Sequence, residues 1–420
     1  MKPRLQFLPL ALAAVILAPA APAQSTAAPE PLRVCLVSAD SQADKVSAAL
    51  AATLGADATI LVAAPKADKT LSLASLRKAD VAVFYHGPGP LDADDAKVVR
   101  DFLASGRGVV VLGAERDAWE AVPNFFTDYL GAEPGEPFAG GVPMSVINLL
   151  PHPIYAGVTR FETSQSMPGW RNLATDAELF MEGTVGEDTT PLAWVRRRPT
   201  GRICHLVPAG AGLFGEAAYL RIVANAVRWT SGRPIPGARA IVQRTFMPES
   251  YPGAFAVTFP QGPGVCFDPV RGGINFIWDG DFVDLRPRWL TKQGEPARIF
   301  GAVFYREKNL PPLRAGGAAR DAGWRFRGYR LTDAGPEFHY QVDGREVFET
   351  LSADADGAGL TRRFRVGAGP GALQLDLEPQ ADADVTVTGL VRDGERALFA
   401  ANKAGEFAIQ IRRKSGAVQP

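Results

Sequence analysis

Cysteine is scarce, with three residues in 420. That excludes a disulfide framework as the support of an exported chain of this size. A Cys35–Cys204 bridge would need two neighbouring strands, and three buried free thiols at Cys35, Cys204 and Cys266 are the simpler expectation. Histidine is nearly as rare, with four residues and no His-x-His or Cys-x-x-Cys spacing. No metal centre and no other cofactor is therefore expected. An excess of one charge is missing too: 45 basic and 45 acidic residues cancel, which argues against a nucleic-acid partner. Beyond the first residues no apolar run is long enough to form a transmembrane segment.

What is present starts with residues 1–23. Lys2 and Arg4 precede an apolar run from Leu5 to Leu17, and Ala21-Pro22-Ala23 supplies a small-x-small pattern. This order reads as a secretory signal peptide cleaved near Ala23. No cysteine follows it to carry a lipid, so a soluble periplasmic or secreted protein is expected.

The remainder divides into two halves. Residues 32–232 alternate apolar strands (32–39, 58–64, 80–86, 108–113) with helical segments. Val46, Leu50 and Leu54 mark a helix over 41–54, and an acidic first turn and Gly106 bound another over 91–106. A further helical stretch ends near Leu130. The alternation predicts a doubly wound parallel sheet. A hairpin-like pair of strands turning at Pro199-Thr200-Gly201 follows, then a helix with Leu220, Val223, Val227 and Trp229 facing inward. Residues 233–240 read as a linker. From 241 to 420, short β-type runs lie between Gly, Pro and Asp turns, with Asp343-Gly344 a hairpin signal. That half is expected to be an antiparallel β-sandwich.

Open parallel sheets bind ligands beyond the carboxyl ends of their strands. The loops at 38–41, 86–89, 113–116 and 208–212 are thereby selected, and their polar residues include Asp40, His86 and Glu115. A histidine between carboxylates can act as acid or base near neutral pH. The structural alternative has Asp40 capping a helix, His86 in a Gly-Pro turn and Glu115 solvated. Thiol-based nucleophilic catalysis at these loops would need an activated cysteine on a sharp turn, and Gly113-Ala114 supply none. Cys204 and His205, adjacent on one strand, point to opposite faces.

In the second half, residues 266–289 gather Asp268, Trp278, Asp279, Asp281, Asp284, Arg286, Arg288 and Trp289. Aromatic rings with carboxylates and guanidinium groups suit carbohydrate recognition, making Trp278, Asp284, Arg286 and Trp289 ligand-binding candidates. Core packing is the alternative for the tryptophans. Asp279-Gly280-Asp281 reads as a turn rather than part of a calcium loop. Asp284, inside an apolar-rich run, needs a partner, and Arg286 is on hand.

Three segments carry a resemblance: HPIYAGVTRF (152–161), PLAW with GRICHLVPAG (191–210), and NAVRWTSG (225–232). Together they resemble the trehalose-utilisation (ThuA-like) family, whose fold is related to class I glutamine amidotransferases. The resemblance implies a flavodoxin-like sheet over 32–232 and an association with sugar metabolism. His152 and Gln165, from the first segment and just after it, join the ligand-binding candidates. The chain departs from the family at three polar positions. The turn after the fourth strand (Gly113-Ala114-Glu115) lacks the family's histidine. Thr163-Ser164-Gln165-Ser166 stands where an Asp-Glu pair is common, and Pro208-Ala209-Gly210 where a Gly-His pair is. Residues 240–400 resemble a β-module that accompanies exported bacterial sugar-oxidising and cytochrome-type proteins, through Phe326–Leu331 and Pro336–Tyr340 among others. The expectation is an exported carbohydrate-associated protein that binds a sugar or glycan, with degenerate or absent ThuA-type catalysis. A periplasmic hydrolase or isomerase acting on a sugar derivative is one alternative. An interaction protein docking to a partner in the cell envelope is another.

Overall fold

The computed structural model describes residues 30–63, 72–138, 144–148, 151–158, 162–163, 167–185, 187–198, 201–287, 294–316 and 323–414. The signal-peptide reading of residues 1–23 lies outside them. Four apolar runs form the strands β1 (Leu32–Val37), β2 (Ala58–Val62), β3 (Val81–Tyr85) and β4 (Gly108–Leu112). They are parallel in the order β2-β1-β3-β4, and Gly201–Leu206 joins β4, also in parallel. This is the flavodoxin-like order, doubly wound about β1 and β3. The sheet then continues antiparallel through Asp188–Arg198, Glu178–Val185, Met144–Asn148 and Glu162–Thr163.

Every residue of β3 and β4 is buried, as unbroken Val and Leu runs require when helices cover both faces. Helix α1 (Ala43–Leu54) buries Val46, Leu50 and Leu54, each worth about 1.5–3 kcal/mol on leaving water. After the short helix α2 (Ala74–Lys78) comes α3 (Ala93–Leu103). It starts where the Asp92 carboxylate accepts the Asp95 N–H at 2.7 Å, a side-chain N-cap. The stretch ending at Leu130 is not an α-helix. It is a turn at Asp117–Trp119 and a π-helix at Phe125–Leu130, stopped by Gly131 at φ 68°. Stacking of Trp119 on Phe125, centroids 3.3 Å apart, links the two. Helix α4 (Ala217–Thr230) turns Val223, Val227 and Trp229 inward, while Tyr219 and Ile222 hold the place expected of the half-buried Leu220.

The second half opens with a five-stranded antiparallel meander: Ile241–Thr245, Ala254–Thr258, Gly264–Asp268, Gly273–Asp284 and Arg298–Arg306. A six-stranded antiparallel sheet faces it, built from Arg325–Thr332, Gly335–Val342, Arg345–Ala353, Gly359–Val366, Gly405–Arg413 and Ala383–Thr388. Phe255, Val257 and Phe267 from one share a core with Phe338, Leu351 and Phe364 from the other. Alternate residues of the meander, Ala254, Ala256, Cys266 and Trp278, form a second cluster on its opposite face. Asp343 and Gly344, at φ 50° and 75°, make the expected tight hairpin turn between paired Val342 and Arg345.

One turn expected from the sequence is absent. Asp279-Gly280-Asp281 lies within the continuous strand Gly273–Asp284, with a register irregularity between Gly280 and Val283. Gly280 pairs with Gly301, and a Cβ on either would come 1.7 Å from the opposing carbonyl oxygen. The glycines permit backbone approach here rather than a reversal.

Candidate functional site

β1 and β3 flank the point where strand order reverses, so their carboxyl ends frame the first candidate site. The Ser38 hydroxyl donates to the Tyr85 carbonyl at 2.8 Å and accepts the Asp40 N–H at 3.0 Å. One carboxylate oxygen of Asp40 accepts the Gln42 N–H at 2.7 Å. That carboxylate is therefore turned onto the backbone leading into α1.

His86, directly after β3, adopts a left-handed conformation at φ 62°. Its Nδ1 lies 3.4 Å from Glu115 Oε1, with a quarter of the imidazole and most of the carboxylate exposed. Gly113 makes this approach possible, since a Cβ there would sit 3.1 Å from the same Nδ1. Tyr85 packs beneath, its ring centroid 4.2 Å from that of His86. Burial first, then the charges of Asp40 and Glu115, push the Tyr85 hydroxyl up to about 12. Asp40, His86 and Glu115 thus collect around one buried ring. The His86–Glu115 pair can exchange hydrogen bonds with hydroxyls or move a proton.

No thiol nucleophile serves this rim. All three cysteines are free and buried. Burial pushes the Cys35 thiol up to about 12 and the Cys204 thiol higher still, which disfavours thiolate formation. His205 is wedged edge-on between Trp170 and Trp194, and burial lowers its pKa to about 3. Among the described residues no group of three His, Cys, Asp or Glu is placed to hold a metal ion.

The other candidates stand apart from the rim. His152 is buried and caps the turn Pro153–Tyr155, its Nδ1 accepting the Ile154 N–H at 3.1 Å. Its ring stacks on Phe180 at 4.9 Å. Asn225 of α4 ties down the same turn by donating to the Ile154 and Ala156 carbonyls at 2.8 and 3.0 Å. Trp278 is fully buried against Gly264, where a Cβ would come 2.0 Å from the indole. Gln165 and Trp289 lie outside the described residues.

Asp284 has the partner its sequence position called for. Arg286 grips it with two side-chain bonds of 2.8 and 2.9 Å, and Arg298 adds one at 2.7 Å. Burial would raise the Asp284 carboxyl, but Arg286, helped by Arg298, holds it below the usual carboxylate range. Arg286 also donates to the Ala177 carbonyl at 3.2 Å, so this cluster joins the two halves.

A cavity of about 730 Å³ lies at that junction, lined among others by Arg197, Arg198, Arg202, Asp279 and Arg413. Sequence reasoning passed over it. The available signal was Arg196-Arg197-Arg198 on one strand: alternation sends neighbours to opposite faces, so three consecutive arginines cannot all point into bulk water.

A flavodoxin-like α/β domain with an open polar rim, followed by antiparallel sheets, is the class of protein these features define. Residues 33–230 match the model of the ThuA family, described as trehalose utilisation, and the first half of the chain is thereby a ThuA family domain. No curated protein matches the sequence. Among solved structures, a putative ThuA-like protein from Parabacteroides merdae is 11% identical, over 53% of this chain and 95% of that one, with a TM-score of 0.37. A cytoplasmic protein from Salmonella typhimurium is 12% identical over 47% and 99%, with a TM-score of 0.38. A carbohydrate deacetylase is 12% identical over 52% and 35%, with a TM-score of 0.35.

Proposed function

We propose that this is an exported protein that binds a sugar or glycan at the carboxyl rim of its parallel sheet, with ThuA-type catalysis degenerate or absent. The observation that carries this reading is the His86–Glu115 pair, 3.4 Å apart at the strand-order reversal, beside an Asp40 already bound to its own backbone. An exposed imidazole and carboxylate offer donors and acceptors to hydroxyls. The sugar-related family of residues 33–230 supports the ligand class. Calorimetric titration with neutral mono- and disaccharides tests it: binding is expected, weakened at least tenfold in His86→Ala. A full saccharide panel without heat overturns the reading.

A second reading, a hydrolase or isomerase of a sugar derivative, is favoured by one feature. His86 is held at φ 62°, and residues in strained backbone cluster at active sites. Turnover of sugar esters or keto-sugars that disappears in both His86→Ala and Glu115→Gln would support this reading; turnover unaffected by either would remove it.

A further inference from the structure

The outer face of the six-stranded sheet carries a phenyl ring that belongs to no core. Along Arg345–Ala353 the buried residues Val347, Glu349 and Leu351 face inward, and Phe348 points the other way, half-buried between Glu346 and Thr350. His339 and Arg365 are its register partners on the two flanking strands. The His339 imidazole stacks on it, centroids 4.4 Å apart and planes within 7°. From the other side the Arg365 guanidinium carbon comes 4.3 Å from the ring centre. A stack of flat groups therefore runs across the strands. The next place in that row, beyond His339, belongs to Gly328 on the edge strand, where a Cβ would meet nothing within 4 Å.

The stack thus stops one position short of the sheet edge, with a face of the imidazole turned to a gap one side chain wide. Neighbouring strands lie about 4.8 Å apart, so a flat ring over Gly328 would continue the row. The long side chains beside the gap do not fill it. Arg330 is drawn to Glu337, its Nε donating at 2.7 Å, and Arg327 to Gln341 at 2.6 Å. His339 is fixed by a hydrogen bond to Glu346, and Glu337 is also paired with Arg365 at 3.5 Å. A cleft of about 420 Å³ results, lined among others by Gly328, Arg330, Glu337, His339 and Phe348. A flat face beside a guanidinium and a carboxylate already paired with each other offers C–H contact, donors and acceptors together. It makes no demand for a charged ligand. Those are the needs of a neutral sugar ring, whereas a flat aromatic would use the face and leave the polar pair idle.

We propose that the gap over Gly328 is a saccharide-binding slot, in which a neutral sugar ring stacks on His339 and hydrogen-bonds Arg330 and Glu337. This goes beyond the rim: it places a site for the same ligand class on the second half of the chain, and neither site needs the other. The chain has four histidines, so imidazole proton resonances report the two separately, His86 for the rim and His339 for the slot. In titrations of the full chain with glucose, maltose, cellobiose and trehalose, the His339 resonance is expected to shift saturably, and to do so equally in His86→Ala. Arg330→Ala should weaken that His339 titration about fivefold. Calorimetry in the His86→Ala background should show about a tenfold loss of affinity on adding His339→Ala. Adding His339→Phe instead, which keeps a flat face, should restore most of it. A His339 resonance unmoved by all four sugars overturns the proposal, and the rim reading stands if the His86 resonance moves in the same titration. Movement of His339 alone removes the rim and leaves the slot. Saccharide affinity that survives His339→Ala in the His86→Ala background overturns the slot as well. So does indole shifting His339 at the same concentrations as the sugars, since the slot would then take any flat ring.

Discussion

In the ThuA half, β3 and β4 are apolar on both faces and the ionisable groups gather at strand ends. In the antiparallel half an ion-pair network lies inside the sandwich. Arg362, barely exposed at 1%, donates from Nε to Glu349 at 2.7 Å and from Nη1 to Glu307. The Tyr340 hydroxyl donates to Glu349 at 2.8 Å and the Tyr305 hydroxyl to Glu307 at 3.0 Å. Burial raises Glu307 above the usual carboxylate range despite Arg362, and its Oε2 has no partner among the described residues. Burial also works against the Arg362 charge, but Glu307 and Glu349 more than offset it. A core can be specified by apolar pattern or by matched charge. The two fail in different ways when a residue is removed.

The largest expected effect separates those modes. Arg362→Met strands two buried carboxylates and should cost about 3–5 kcal/mol in urea unfolding, while Arg362→Met with Glu307→Gln and Glu349→Gln should recover most of it. A single-variant loss below about 1 kcal/mol would erase the contrast.

Acid and base should act oppositely on the halves. His205 is held neutral in the fold, its pKa lowered from 6.5 to about 3. Its stabilising contribution is complete above pH 6.5 and is lost as pH falls toward 3, on the order of 5 kcal/mol in all. Glu307 is raised above its ordinary 4.5, so its contribution is complete below pH 4.5 and declines as pH rises through its folded value. Urea midpoints measured between pH 3 and 8 should lose their acid slope in His205→Leu and their upward-pH decline in Glu307→Gln. Unchanged slopes in both variants would break the comparison.

The smallest effect belongs to the rim. His86→Gly relieves a left-handed backbone and should stabilise the chain by about 1 kcal/mol in thermal or urea unfolding, at the expense of saccharide binding. Destabilisation instead would mean that the lost packing on Tyr85 outweighs the relief of backbone strain.

Legibility followed the same divide. Val46, Leu50 and Leu54 announced α1 because apolar spacing is what a covered helix needs. Asp284 announced Arg286 because a carboxylate in an apolar run requires a partner. Leu360, Phe364 and Val366 set a period of two that puts Arg362 on the inner face and Arg363 and Arg365 outside, but the Arg362 partners Glu307 and Glu349 are supplied only by tertiary structure. The Asp-Gly-Asp at 279–281 carried turn residues, yet the opposing Gly301 drew it into a ladder. Asp40, His86 and Glu115 were selected by the strand-end rule. The junction arginines were not, because residues 197 and 413 meet only through tertiary structure.

Arg413 is the last residue of the strand Gly405–Arg413, whereas the ThuA domain ends at residue 230. During synthesis the rim elements are therefore complete more than a hundred residues before Arg413 reaches the junction wall. Possession of the cavity is a mark of a chain translated and folded through its final sheet.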